Sequence, residues 1–185
     1  MLLKLKHFFL LIFLLVLIPN NRAQFVSISQ IIRMPYFNGD QIADTLVSRG
    51  WAPQKVEFIT DSNYVRKTWM KTRVRDNVKA FFIYYEFTRD SSENYIIYQF
   101  TDRPSFLNYK KEIVKMGYKL LTKKARKKLK ATDKITLLGK EDLFYSEKTG
   151  ATTIIEDAFY LGLNAFMIYS FKANSAIAKH LFLRG

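Results

Sequence analysis

Side chains able to do chemistry are sparse in this chain. Of 185 residues only His7 and His180 are histidines, and there is no cysteine. A zinc centre of the usual His and Cys type, a thiolate nucleophile and a disulfide framework are therefore excluded by residue type. A Ser–His–acid triad would have to use His180, close to the chain end, and no G-x-S-x-G elbow accompanies it. The carboxylates come as sequence neighbours, Glu141-Asp142 and Glu156-Asp157. Adjacent strand residues point to opposite faces, so neither pair makes a ready acid–base couple. No glycine-rich phosphate loop occurs; Gly39, Gly139, Gly150 and Gly162 are scattered and read as turns. The sequence assigns no catalytic residue, no metal and no cofactor, and it points away from an enzyme.

Two other sets of residues carry chemistry of binding. The net charge is +14, and eleven of the thirty Lys and Arg fall in residues 110–134, opposed only by Glu112 and Asp133. The densest part is LTKKARKKLKATDK (121–134), where Lys123, Lys124, Arg126, Lys127, Lys128 and Lys130 are the candidate anion-binding residues. Such a run attracts nucleic acid, lipid head groups or acidic glycans, with salt-sensitive affinity. Its plain alternative is a solvated edge or loop, where lysines discourage edge-to-edge pairing of sheets. The second set is aromatic. In AFFIYYEF (80–87) and YIIYQF (95–100), apolar side chains fall on both faces of a strand, whereas a sheet with one wet face should alternate. Helices cover one face; the other is buried internally or offered to a protein or glycan. Trp69, Tyr84, Tyr85, Tyr98 and Tyr169 are the candidate anchors for such a partner.

The elements that must position these residues follow a plain order. The start, MLLKLKHFFLLIFLLVLIPNNRAQF, has Lys4 and Lys6 before an apolar run from Phe8 to Ile18, then Pro19 and a small residue, Ala23. This is the layout of a secretory signal peptide over residues 1–23, and the run is shorter than the ~20 residues a membrane span needs. The expected address is the periplasm or the outside of the cell. With no cysteine, stability must come from a hydrophobic core rather than disulfide staples.

Helical spacing occurs in SISQIIRMP (27–35), NGDQIADTLVSRGW (38–51) and TDRPSFLNYKKEIVKMGY (101–118). Ser27 or Ser29, Asn38 or Asp40, and Thr101 or Asp102 can cap their starts, and Gly50 and Gly117 suit their ends. A closing helix is expected over 174–183. Strands are expected near 54–59, 63–72, 79–87 and 94–101, and again near 118–124, 134–147, 150–158 and 164–172. A shift of 67 lays Leu46, Val47, Gly50 and Trp51 on Ile113, Val114, Gly117 and Tyr118. A shift of 71 lays AFFIYYEF on ATTIIEDA and YIIYQF on FMIYSF. The chain therefore reads as an internal duplication: a first α+β repeat over 24–101 and a second over 102–185, each a helix-plus-antiparallel-sheet unit with helices on one face.

This order, carried by Gly50-Trp51 and Gly117-Tyr118 each followed by strands, resembles the β-lactamase-inhibitor-protein architecture and the related fold of small outer-membrane-assembly lipoproteins. The resemblance is one of topology over residues 24–185, and the missing cysteine departs from both families. It implies an exported α+β protein and carries over no functional residue. The expected function is a non-enzymatic binding or adaptor protein for an envelope or extracellular protein, acting through its aromatic sheet surface or the repeat interface. The alternative is a binder of anionic surface polymers through residues 110–134.

Overall fold

The structure is a computed structural model that describes residues 26–60, 63–73, 78–120, 140–146, 148–149, 151–160, 163–173 and 175–176. The signal-peptide segment 1–23, the run bearing Lys123, Lys124, Arg126, Lys127, Lys128 and Lys130, His180 and most of the expected closing helix lie outside the described residues.

Helices begin where capping side chains stand. In α1 (Ile28–Arg33) the Ser27 side chain accepts from the Gln30 N–H while Gln30 reaches back to the Ser27 N–H. This capping box satisfies donors that a helix start leaves open. A 3-10 turn, Met34–Tyr36, follows. Asn38 and Gln41 repeat the box for α2 (Gly39–Val47). Asp102 caps α3 (Arg103–Lys115) by accepting from the Ser105 N–H at 2.8 Å, with Pro104 in the first turn. Gly39, expected in a turn, is instead the first residue of α2. A Cβ there would crowd Lys67 Nζ, which pairs with Glu86 at 2.6 Å.

The ends of α2 and α3 share one geometry. Gly50 and Gly117 take left-handed φ values of 76° and 85°. Gly50 and Trp51 N–H groups close on the Val47 and Leu46 carbonyls, and Gly117 and Tyr118 close on Val114 and Ile113. This two-bond closure needs a residue without a Cβ penalty at the left-handed position. In both places the next residue, Trp51 or Tyr118, turns into the core.

The strands are β1 (Ala52–Ile59), β2 (Tyr64–Arg73), β3 (Val78–Phe87), β4 (Tyr95–Phe100), β5 (Lys119–Leu120), β6 (Lys140–Tyr145), β7 (Thr152–Tyr160) and β8 (Leu163–Phe171). They form one eight-stranded sheet in the order β1-β2-β3-β4-β8-β7-β6-β5. Every pairing is antiparallel. The protein is thus α+β, with two consecutive meanders joined edge to edge by β4 and β8. One half therefore does not bury the other's second face; the halves share backbone hydrogen bonds instead.

Side-chain alternation divides the sheet into two faces. The core face carries Phe82, Tyr84, Ile96, Tyr98, Phe100, Ile155, Phe166 and Ile168, in one cluster with Ile31, Leu46, Trp51, Phe106, Tyr109 and Ile113. Phe106 stacks on Phe166 at 4.5 Å between centroids, and Tyr109 meets Phe100 edge-on at 5.3 Å. Each such buried ring is worth roughly 1.5–3 kcal/mol of transfer free energy. The outer face carries a smaller cluster of Leu143, Ile154, Met167, Tyr169 and Phe171, with Tyr95 and Ile97 packed against it.

The faces correct one alignment. A shift of 71 carries Phe82 and Tyr84 to Thr153 and Ile155, keeping them on the core face. The same shift lays Ile97, on the outer face, onto Ile168, on the core face. An odd shift reverses every side chain of a strand when both strands keep the same parity of inward residues. An even shift alone can relate β4 to β8, so the likeness of YIIYQF to FMIYSF is not a structural correspondence.

Replacing either left-handed glycine tests the shared helix ending. Gly50→Ala and Gly117→Ala should each destabilise the fold by about 1 kcal/mol through backbone strain. At Gly117 a Cβ meets nothing within 4 Å, so no contact confuses the reading. Urea midpoints of both variants measure the effect, and an unchanged midpoint for Gly117→Ala would show that this cap is not held.

Candidate binding surfaces

Four of the five expected aromatic anchors are structural. Trp69, Tyr84 and Tyr98 belong to the core face and are buried. Trp69 meets Phe82 edge-on at 6.3 Å. The Tyr84 hydroxyl donates to the Phe37 carbonyl at 3.0 Å and accepts from Asn94 at 2.7 Å. Asn94 in turn accepts from the Phe87 N–H at 2.8 Å, so this buried network ties the β3–β4 loop to the 3-10 turn. Tyr98 stacks on Phe100 at 5.0 Å. Tyr169 lies on the outer face, yet it is 3% exposed and its hydroxyl donates to buried Glu156 at 2.8 Å. None of the four is available to a partner; parity places three of them in the main core, and the smaller cluster encloses the fourth.

Tyr85 is the exception, and it stands in company. The ladder sets Glu57, Arg66, Tyr85, Tyr95 and Phe171 opposite one another across five strands. Tyr85 and Tyr95 stack at 4.4 Å with 9° between planes, and Tyr95 meets Phe171 at 5.5 Å. Tyr64, opposite Phe87, packs against both Tyr85 and Phe87 at 5.4 Å. Tyr64, Tyr85, Phe87 and Tyr95 are half-buried, and Phe171 is buried. The row ends in charge. Arg66 Nε donates to Glu57 at 2.6 Å, and Lys55 pairs with the other Glu57 oxygen at 2.6 Å. Hydrogen bonds from Lys55 and then Arg66 hold the Glu57 carboxyl below its usual range. Burial raises the Tyr85 phenol, and a hydrogen bond from Arg66 works against that rise.

A second feature lies on the core side. A cleft of about 610 Å³ opens between α1 with its 3-10 turn, the end of α3, and the β6–β7 turn. Ile32, Met116, Tyr118 and Ala151 give it apolar walls, and Ser29, Ser146 and Thr149 add hydroxyls. Gly117 and the exposed Arg33, Tyr36 and Lys148 also line it. Burial raises the Tyr118 phenol, opposed by a hydrogen bond with Thr149.

The carboxylate pairs are separated as strand geometry requires. Glu156 meets Tyr169 on the outer face, whereas Asp157 meets Arg103 of α3 at 3.8 Å. Asp142 pairs with Lys110 of α3. Among the described residues no group of three His, Cys, Asp or Glu could hold a metal, and no helix is long and apolar enough to cross a membrane.

Tyr64, Phe87 and Tyr95 were not singled out from sequence as anchors. The parity of Tyr85, Phe87 and Tyr95 was readable, but which parity the helices cover was not. Fold and surfaces together define an α+β protein with one continuous antiparallel sheet, an aromatic row on one face and a cleft on the other. Comparisons with protein-family models, curated proteins and solved structures find no match to the chain.

The buried phenols set an alkaline limit. Desolvation pushes the hydroxyls of Tyr84, Tyr95, Tyr109 and Tyr169 well above the ordinary value of 10.0. The folded chain keeps these protons after the unfolded chain has released them. Their contribution is therefore intact below pH 10 and lost as pH rises through and beyond it, by about 1.4 kcal/mol per pH unit for each group. Stability should fall steeply above about pH 10, with part of the tyrosinate absorbance appearing only on unfolding. Full tyrosinate amplitude near pH 10 in a folded chain would contradict this.

Proposed function

We propose that the chain is an exported, non-enzymatic binding or adaptor protein that holds a protein partner on the aromatic row of its outer sheet face. One observation carries the reading: Tyr64, Tyr85, Phe87 and Tyr95 form a continuous, half-buried ring surface bordered by Lys55, Glu57 and Arg66. An aromatic centre with a charged rim is the anatomy of protein interfaces. Tyrosine supplies large contact area at low entropic cost.

The same reading takes the fold as a duplication of helix-plus-meander units with helices packed on one face. Its support is the matched ending of α2 and α3 and the mirrored strand order. It is the plan implied by the resemblance to β-lactamase-inhibitor-protein-like folds. Export rests on the Lys4–Ala23 layout.

A photo-crosslinking residue at Tyr64 should trap a discrete protein adduct in the intact cell envelope, and one at Leu107, exposed on α3, should not. Against the trapped partner, Tyr85→Ala should weaken binding by about tenfold or more, the scale of an interface hot spot. Equal trapping at both positions, or affinity unchanged in Tyr85→Ala, would sink the proposal.

A second reading, anionic-polymer binding, rests on the concentration of eleven basic residues in 110–134. Lys110 is already engaged with Asp142 and the Phe106 ring, so the candidates are the six in 123–130. Retention on heparin should fall steeply with salt. It should disappear when Lys123, Lys124, Arg126, Lys127, Lys128 and Lys130 are all changed to Gln. Salt-insensitive retention would exclude this reading.

A further inference from the structure

The cleft on the core side is bordered by two exposed cations, Arg33 and Lys148. Lys55, Arg66, Lys67, Arg103 and Lys110 each pair with a carboxylate. Among the described residues, the side chains of Arg33 and Lys148, which line the cleft, have no ion-pair or hydrogen-bond partner. Among the described residues no Asp or Glu lines it. Two cations without a described counter-charge therefore border an apolar floor of Ile32, Met116 and Ala151. The volume, about 610 Å³, lies in the range of small-molecule sites.

We propose that this cleft binds a small anionic amphiphile, a molecule with one carboxylate or phosphate head and an alkyl body. Arg33 and Lys148 meet the head through charge-assisted hydrogen bonds, which are stronger than neutral ones. The hydroxyls of Ser29, Ser146 and Thr149 offer further donors. Ile32, Met116, Tyr118 and Ala151 cover the alkyl chain, whose burial is favourable by about 0.8 kcal/mol per methylene. A cationic head would meet Arg33 and Lys148 unopposed, and an uncharged one would leave them unused. The choice of an anion thus comes from the described lining.

This site is independent of the aromatic row. Ala151 and Ile32 belong to the main core cluster on one face of the sheet, while Tyr85 and Tyr95 lie on the other. Either surface can fail without the other.

Titration calorimetry of the purified chain with decanoate, decyl phosphate and decyltrimethylammonium tests the proposal. Decanoate or decyl phosphate should bind with one-to-one stoichiometry, and decyltrimethylammonium should not. Tighter binding of decanoate identifies a fatty-acid-like ligand; tighter binding of decyl phosphate identifies a phospholipid-like head. The double variant Arg33→Ala, Lys148→Ala should lose about tenfold or more in affinity. Its thermal stability should be unchanged, because neither side chain has a described partner to lose. Met116→Trp should block binding by filling the cleft. The variant with the 123–130 basic residues changed to Gln should bind as before. Equal affinity in the double variant, comparable binding of the cationic amphiphile, or loss of binding only in the 123–130 variant would each overturn the assignment.

Discussion

The ladder between β4 and β8 is the constraint on which the rest of the molecule depends. Six residue pairs, from Tyr95–Phe171 to Phe100–Phe166, turn two separate meanders into one sheet. Phe166 lies 66 residues after the residue it faces. Loop-closure entropy grows only slowly with such a separation, so the equilibrium cost is modest. The non-local pairing bears more on folding speed than on final stability. Without this ladder, β4 and β8 would each be an open edge with unpaired donors and acceptors.

Packing follows from that junction. Because α3 leaves the end of β4, it lies over the strands that β8 brings in. Phe106 reaches Phe166, Tyr109 reaches Phe100 and Tyr98, Lys110 reaches Asp142 and Arg103 reaches Asp157. Buried phenols need partners for their hydroxyls, and the helical side supplies them. Tyr84 takes the Phe37 carbonyl, and Tyr109 takes that of Val26. Tyr109 thus pins the start of the described chain to α3, and Tyr84 pins the end of the 3-10 turn to the sheet. Their role is polar attachment as well as apolar filling.

The same junction creates the aromatic row. Tyr85, Tyr95 and Phe171 line up only because three strands from two different parts of the chain meet in one register. Arg66 and Glu57 extend that line outward, so ring contact passes into charge within one cross-strand row. On the opposite side, the cleft forms where α1 and the end of α3 leave a gap above the β6–β7 turn. Two exposed cations, Arg33 and Lys148, border this gap, and among the described residues no carboxylate lines it. The binding proposals rest on these two features, the aromatic row and the cation-bordered cleft.

Much of the fold was legible because its signals are local. Ser27, Asn38 and Asp102 cap helices through bonds three residues away, and Gly50 and Gly117 end them through backbone conformation alone. Strand positions and their alternation follow from a period of two, so the two ring sets of AFFIYYEF and YIIYQF were separable without coordinates. The absence of cysteine and the scarcity of histidine are facts of composition. The side of the sheet facing each ring set was not legible, since docking of helices from distant segments decides it. Trp69, Tyr84, Tyr98 and Tyr169 accordingly passed for surface anchors and are buried, while Tyr64, Phe87 and Tyr95 were passed over. The false register of YIIYQF on FMIYSF has the same origin: resemblance between short aromatic strands carries no information about facing. Local hydrogen bonding and residue chemistry were determined by the sequence alone. Facing, register across β4–β8 and the cleft beside Arg33 and Lys148 were decided only by tertiary structure, because each depends on segments that meet far apart along the chain.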